Sequence, residues 1–373
     1  SDYVNASSTF SSQQRASFLF HPSNNNKCWI TSSPTTTTTT LSKSKRRKLY
    51  ERQQQQCFKL YNTNPKQQKH QTKKSLSIEA TDNTFTLNHK INSLIKKSTP
   101  QNSIQTATTA SNILNQMEQQ YNEAPTTKHH LKPDTITYTS VISAWAKVSS
   151  PSTAKQHAHD LLDKMKHYEE TQHPLYSHVQ PNVITYSSVL NAYAKSTSPK
   201  APQQAEALMI ELEQLYLTTG DKRYRPNIRC YNAIIDNWSR KSNTSPSGKY
   251  ASNRAYDILQ KLQLGHGLSF NSTSITTATN HRFLYPDTFS YTSVINALGK
   301  TASGANAHKA HLLLKQMQYL SKQKTNEHIK VNVFAYTALL SAYAHANMGE
   351  KGALICEDLL VKMGEGGVTP NVY

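Results

Sequence analysis

The side chains that could do chemistry form no catalytic or metal-binding pattern. The chain has 16 histidines but no HExxH motif, and its 11 glycines make no phosphate-binding loop. Its four cysteines, Cys28, Cys57, Cys230 and Cys356, make no CxxC pair, so neither a zinc knuckle nor a disulfide framework is predicted. The clustered acidic residues that a two-metal nuclease needs are also lacking. We therefore expect no enzymatic activity, cofactor or metal.

The charge of the chain points to a polyanionic partner, but it is unevenly distributed. The formal net charge is +19 at pH 7. Residues 1–78 carry 13 Lys/Arg against 2 Asp/Glu, whereas residues 79–373 carry 29 against 21. Most of the charge therefore lies in the first 78 residues.

Residues 1–78 have a low-complexity composition, with a threonine run at Thr35 to Thr40 and a glutamine run at Gln53 to Gln56. Such a segment has too few large apolar residues to offset its chain entropy, so we predict a disordered basic tail. Its Ser-rich, acid-poor character favours a transit peptide and a mitochondrial or plastid location. The cluster Lys43 to Lys48 leaves nuclear import, or nucleic-acid binding by the tail, as alternatives.

Residues 79–373 contain an internal repeat that opens with a six-residue string ending in tyrosine. The string reads PDTITY, PNVITY, PNIRCY, PDTFSY and, without its proline, VNVFAY, ending at Tyr138, Tyr186, Tyr231, Tyr291 and Tyr336. Large apolar residues follow each tyrosine at offsets of three, four and seven, for example Val141, Ile142 and Trp145. These offsets predict one face of a helix, here called helix A.

A second apolar pattern follows and predicts a helix B. A small residue precedes large apolar ones at the same offsets, as in Ala158, Leu161, Leu162 and Met165. Upstream, Ala110 to Met117 fits helix B, and Ile91, Leu94 and Ile95 offer a weaker helix A, giving about six repeats. Breakers such as Ser149-Ser150-Pro151 separate the two helices. The polar insertion from Gly265 to Phe283 is expected to be a surface loop.

One hairpin cannot bury its own apolar face, so neighbouring hairpins must stack. We therefore expect an all-α fold, a right-handed α-solenoid of stacked helix-turn-helix repeats over residues 79–373. The first residue is Ser1, and the last four, Pro370 to Tyr373, repeat the opening string, so we expect a fragment of a longer chain. No run of 18 apolar residues occurs, so no membrane-spanning helix is predicted.

This repeat resembles that of the pentatricopeptide repeat family over roughly residues 83–373. Tetratricopeptide repeats are the nearest competitor, but their W-x2-L-G-x2-Y signature is absent. The tyrosines lie 45 to 60 residues apart, whereas the family usually has about 35 residues per repeat. The extra residues fall between helices, where lengthening a loop costs little.

The resemblance implies that each repeat reads one RNA base with two polar side chains. One is the residue after the tyrosine and the other is the Asp or Asn that follows the next proline. The implied pairs are Thr139 with Asn182, Ser187 with Asn227, Asn232 with Asp287, Thr292 with Asn332, and Thr337 with Asn371. By resemblance to the family's code they read 5′-AAUAA-3′. The weaker first repeat offers His89 with Asp134, for which no base is assigned.

The resemblance also implies that residues two before each tyrosine flank the base. These are Ile136, Ile184, Arg229, Phe289 and Phe334. Without the resemblance, the polar pairs are ordinary exposed or helix-capping residues, and the tyrosines are core. Lys147, Lys195, Arg240 and Lys300, nine residues after their tyrosines, either contact phosphate or complement the helix dipole.

The leading hypothesis is a monomeric, sequence-selective binder of organellar single-stranded RNA that acts in RNA processing, stability or translation. Two alternatives stay open. One is a protein-interaction scaffold with no RNA ligand, and the other is an RNA-processing enzyme whose catalytic domain lies outside this sequence.

Overall fold

The computed structural model describes residues 78–148, 151–242, 248–268, 284–323 and 328–370. The predicted N-terminal tail lies outside this part of the chain, as does most of the insertion predicted from Gly265 to Phe283. Within the described residues the secondary structure consists of twelve α-helices and two short 3-10 turns, with no strand. None of the described helices has both the length and the hydrophobicity that a bilayer span requires.

The helices alternate between a short helix A of 12 to 14 residues and a longer helix B of 16 to 21. The A helices are α1 (Thr84–Lys97), α3 (Thr135–Lys147), α5 (Val183–Lys195), α7 (Ile228–Lys241), α9 (Thr288–Gly299) and α11 (Val333–His345). The B helices are α2 (Ser103–Glu123), α4 (Pro151–Glu170), α6 (Ala201–Thr219), α8 (Gly248–Gln263), α10 (Gly304–Ser321) and α12 (Glu350–Glu365). Each A helix with the B helix after it forms one of six repeats, numbered 1 to 6 below.

The repeats stack mainly through their A helices. Each A helix contacts the next A helix and its own B helix, and each B helix also contacts the A helix of the following repeat. Among the described helices, consecutive B helices make no comparably extensive contact. The A helices therefore form the inner layer of the stack and the B helices the outer layer. This arrangement confirms the predicted all-α solenoid.

The repeated tyrosines form the core of the stack, as expected. Tyr138, Tyr186, Tyr231 and Tyr291 are at most 1% exposed, and Tyr336 is 2% exposed. Beside them lie the apolar residues of both helices, such as the fully buried Met165 and Leu259. A buried phenol needs a partner for its hydroxyl group, and helix B supplies it.

In four repeats that partner is a Glu or Gln on helix B of the preceding repeat. Tyr231 donates a hydrogen bond to Glu213 at 2.6 Å, and Tyr138 donates to Glu118. The pattern continues with amides as donors, from Gln263 to the Tyr291 hydroxyl at 3.1 Å and from Gln318 to the Tyr336 hydroxyl at 2.9 Å. These bonds link each repeat to its neighbour.

Tyr186 is the exception, because Lys166 stands at the corresponding position of the preceding helix B. The Tyr186 hydroxyl donates instead to Glu211 of its own repeat at 3.1 Å, and Lys166 forms an ion pair with the same carboxylate at 2.5 Å. The ammonium group of Lys166 also lies 5.5 Å from the centroid of the tyrosine ring. Repeats 2 and 3 are therefore linked by the ion pair and the cation–π contact of Lys166, in place of the hydrogen bond that joins the other repeats.

Two of the longer connections between repeats are anchored in the core. Between α4 and α5, Tyr176 stacks on Tyr168 with ring centroids 4.7 Å apart and donates a hydrogen bond to Asn122 at 2.7 Å. After α8, the backbone N–H of Leu268 donates to the buried Glu213 carboxylate at 2.8 Å. Extra length between helices therefore does not disturb the register of the stack.

Candidate functional site

In each predicted pair, the described Asp or Asn that precedes an A helix caps the N-terminus of that helix. Asp134, Asn182, Asn227, Asp287 and Asn332 each accept a hydrogen bond, at 2.7 to 3.2 Å, from the backbone N–H three residues later. These hydrogen bonds confirm the helix-capping interpretation of the five residues. Each such cap contributes about 1 kcal/mol to stability. Capping occupies one side-chain oxygen, which leaves the amide nitrogen of Asn, or the second oxygen of Asp, for another partner. Asn371 lies outside the described residues.

The predicted base-flanking residues form a row of exposed side chains, one on each A helix. Ile136 and Ile184 are both 59% exposed, Phe289 is 50% and Phe334 is 72% exposed, and Arg229 is also exposed. Large side chains exposed at the same position of successive A helices form a candidate binding surface. We call these five residues, together with Phe85 of α1, the flanking row.

The reading pair of repeat 4 is in direct contact. Asn232 Nδ2 donates to the two carboxylate oxygens of Asp287 at 3.1 and 3.0 Å. Ser290 donates to Asn232 Oδ1 at 2.6 Å. Both side-chain groups of Asn232, which is only 9% exposed, are therefore engaged and held in one orientation.

The pair of repeat 2 is linked through one intervening hydroxyl group. Thr139 Oγ1 lies 2.9 Å from Thr185 Oγ1, and Thr185 contacts Asn182 Oδ1 at 3.3 Å. Thr185 is fully buried and belongs to the same cap as Asn182. Thr139 is thus positioned by the next repeat's helix start.

In repeats 3 and 5 the hydroxyl group bonds to its own helix. Ser187 donates to the Ile184 carbonyl at 2.9 Å, and Thr292 donates to the Thr288 carbonyl at 2.7 Å. These hydroxyls therefore point to their own backbone rather than to their predicted partners, Asn227 and Asn332. The hydroxyl oxygens nevertheless keep acceptor capacity. In repeat 6, Thr337 is half-buried on α11.

The sequence-based register of repeat 1 is wrong by one residue. Asn83 caps α1, and Leu87 occupies the position of the tyrosine with 1% exposure. The residue after it is Asn88, whose Nδ2 donates to Asp134 Oδ1 at 3.2 Å, as Asn232 does to Asp287. His89 points to solvent. Phe85, 80% exposed, takes the flanking position.

The missing proline and tyrosine hid this register, but one signal was present in the sequence. Asn83 and Thr86 form a reciprocal capping box in which each side chain bonds the other residue's backbone N–H. Asp134 and Thr137 form the same box in repeat 2. A cap residue followed three positions later by Thr marks the helix start.

Two of the four cations late in the A helices bond the neighbouring A helix. Lys147 Nζ donates to the Ile95 carbonyl at 2.9 Å, and Lys300 Nζ lies 3.4 Å from the Ser239 carbonyl. Each therefore bonds a C-terminal carbonyl of the preceding A helix and complements the dipole of that helix rather than only of its own. Arg240 pairs with Asp236 at 2.8 Å. Lys195 keeps an exposed surface, but partial desolvation of its ammonium group and the charges of Arg240 and Lys147 lower its pKa, while Asp236 raises it.

The described residues contain no cluster of His, Cys, Asp or Glu side chains that could hold a metal ion. Comparison with known families gives one result. The family model of the pentatricopeptide repeat domain matches residues 126–196 and 319–373. No curated protein matches the chain. Repeat 4, between the two matched stretches, has the same cap and the same buried tyrosine.

Proposed function

Because this chain is a pentatricopeptide repeat protein, we propose that it binds single-stranded RNA along its A helices, one base per repeat. The observation that carries the proposal is the register of two features on each A helix: an exposed flanking side chain, and a polar residue three positions later. These two features recur in all six repeats, and in repeats 1, 2 and 4 hydrogen bonds connect the polar residue to the cap of the next A helix. A peptide-binding scaffold has no need of it.

The proposed chemistry is stacking combined with edge recognition. A base that enters between two successive members of the flanking row, for example Phe289 and Phe334, stacks on apolar or guanidinium surface, which is worth about 1–3 kcal/mol per base. Its Watson-Crick edge then faces the polar pair. The flanking row supplies affinity and the pairs supply selectivity.

The proposed target is 5′-UAAUAA-3′. Thr or Ser with Asn in repeats 2, 3, 5 and 6 prefers adenine by resemblance to the family's code, and Asn232 with Asp287 prefers uracil. This gives the AAUAA core. Asn88 with Asp134 makes the same contact as Asn232 with Asp287, so repeat 1 adds a uracil at the 5′ end.

The test is a comparison of binding to UAAUAA and to AUUAAA, an RNA of equal composition, at matched salt by fluorescence anisotropy. We expect UAAUAA to bind tighter by about tenfold or more, because each mismatch costs about 1–3 kcal/mol. Phe289→Ala should weaken binding. Tyr319→Ala, which removes a 66% exposed ring from outer helix α10, should not. Equal affinity for the two RNAs would reject base reading.

We further propose that the protein acts as a monomer in a mitochondrion or plastid, without chemistry of its own, by protecting, exposing or remodelling a transcript. The Ser-rich, basic, acid-poor residues 1–78 support this location. Expression of the complete reading frame with a C-terminal fluorescent tag tests it. A nuclear signal would favour the import role of Lys43 to Lys48.

A further inference from the structure

The loops that lead into the A helices carry a recurring contact that the proposed base reading does not use. The first residue of α1, Thr84, donates through Oγ1 to the carbonyls of His130 at 3.0 Å and Lys132 at 2.7 Å. Thr135 contacts the carbonyls of His178 and Gln180 at 3.4 and 3.1 Å. Thr288 contacts those of His328 and Lys330 at 3.1 and 3.3 Å. Each threonine therefore fixes the loop of the next repeat against its own helix.

In three loops this contact holds a side chain able to carry positive charge at one fixed position. His130, His178 and His328 each lie four residues before a helix cap. Where Val183 replaces the threonine, the loop carries Arg223 at that position. The four loops between repeats in which the structure describes this position thus have His or Arg there, whereas Glu79 stands four residues before the cap of α1. We call this row, with Lys132, Arg225 and Lys330 two residues further on, the loop edge.

At the first loop, the loop edge adjoins the proposed reading pair. An open cleft of about 380 Å³ lies at the first loop, and its walls include the flanking residue Phe85, the pair member Asp134, and His130, Lys132 and His178. A base read by Asn88 and Asp134 therefore has cations beside it rather than solvent alone. The sugar-phosphate backbone of an RNA bound along the A helices has to run beside its bases, and the loop edge is one side on which its phosphates would lie.

The histidines differ in how firmly they are held. His178 Nε2 bonds the Pro133 carbonyl at 2.8 Å, whereas His130 and His328 are exposed. Burial lowers the pKa of His178, and Lys132 and His129 lower it further, while Asp134 and the Pro133 carbonyl act in the opposite direction. An anion placed at this loop would favour the charged imidazole.

We propose that the loop edge binds the phosphates of the RNA, and that His130, His178 and His328 do so in their protonated form. The inference rests on the proposed RNA binding. It adds a proton dependence that base reading alone lacks. Binding then takes up protons, so affinity rises as pH falls through the range in which imidazole ordinarily titrates.

Phosphate contacts carry no sequence information. Removal of a loop-edge histidine should therefore weaken the binding of all RNAs equally, in contrast to removal of a reading residue. It should also make binding less dependent on salt. The logarithmic slope should become shallower by about 0.7 units for each phosphate of single-stranded RNA that is no longer neutralised.

The experiment compares the double variant His130→Gln/His328→Gln with the control His167→Gln/His308→Gln. All four side chains are exposed, and the control pair lies on outer helices α4 and α10. Affinity for UAAUAA and AUUAAA is measured at about pH 6 and pH 8, on either side of the ordinary imidazole pKa. We expect wild type and control to bind both RNAs several-fold tighter at the lower pH. The loop variant should lose most of that gain and keep its preference for UAAUAA.

A loop variant that keeps the full pH gain and salt dependence, while still preferring UAAUAA, would overturn the loop-edge inference and leave base reading intact. Absence of RNA binding by the wild type at both pH values would reject the proposed function and this inference together.

Discussion

At the scale of the residue, the Asp and Asn side chains have two compatible roles. Spacing alone cannot separate a helix cap from a base-reading residue, because Asp and Asn favour both sites. Asp287 shows that one side chain can cap α9 and also accept from the other member of its pair, Asn232. The capping bond fixes the orientation in which the remaining polar atom is presented.

Repeat 1 gives a residue-scale prediction with a built-in control. Asn88→Ala removes the donor to Asp134 and should abolish the preference for uracil at the first nucleotide, a loss of about 1–3 kcal/mol of discrimination. His89→Ala changes the neighbouring exposed side chain and should leave it unchanged. Affinities for UAAUAA and CAAUAA measure both. If His89→Ala removed the preference for uracil and Asn88→Ala did not, His89 would be the reading residue, as the sequence-based register has it.

At the scale of the element, the sequence predicted the helices better than their mutual contacts. Apolar offsets after Tyr138 and after Ala158 predicted the faces of helices A and B, because a 3.6-residue period is a property of one segment. The hydrogen bond between Tyr231 and Glu213 joins two different repeats, so the pattern of one segment cannot predict it. Glu is a residue type that is usually exposed, yet Glu213 is fully buried. Its buried environment exists only where two repeats stack.

The Glu213 contact yields an element-scale prediction. Glu213→Ala leaves the buried Tyr231 hydroxyl and the Leu268 N–H without their acceptor. We expect the free energy of unfolding to fall by about 2–6 kcal/mol, since each of the two orphaned groups costs about 1–3 kcal/mol. Gln214→Ala, at the next, exposed position of α6, is the matched control. Urea denaturation that shows equal stability for the two variants would contradict this role.

The Tyr231 hydroxyl remains a donor throughout the usable pH range. Burial raises its pKa well above the ordinary value, and the nearby Glu213 carboxylate raises it further. Stability changes near neutral pH should therefore not come from this tyrosine.

At the scale of the whole molecule, the A helices form a continuous inner layer and stability is a sum of local terms. Among the described helices, each repeat makes its extensive contacts with its sequence neighbours, so damage to one repeat should remain near it. The proposed RNA binding depends on the regular spacing of side chains along the A helices and not on the net charge of the chain. Most of the net charge lies in residues 1–78, outside the repeats that form the groove.

Hydrogen exchange can test this locality. Leu314→Ala truncates a side chain on α10 that is 1% exposed and should cost about 2–5 kcal/mol. Faster amide exchange is expected in repeats 5 and 6, with repeats 1 to 3 unchanged. Leu312→Ala, at a position 51% exposed on the same helix, should change neither. Uniformly faster exchange along the whole array would contradict a nearest-neighbour stack.

The central claim, that each pair reads one base, is tested most directly by exchanging one pair and one base together. Asn182→Asp should preserve the helix cap, because Asp134 and Asp287 cap their helices in the same way. By resemblance to the family's code, Thr139 with Asp prefers guanine. We predict that wild type binds UAAUAA over UGAUAA and that the variant reverses this order, each by about tenfold. If both proteins rank the two RNAs in the same order, the proposed base reading is wrong.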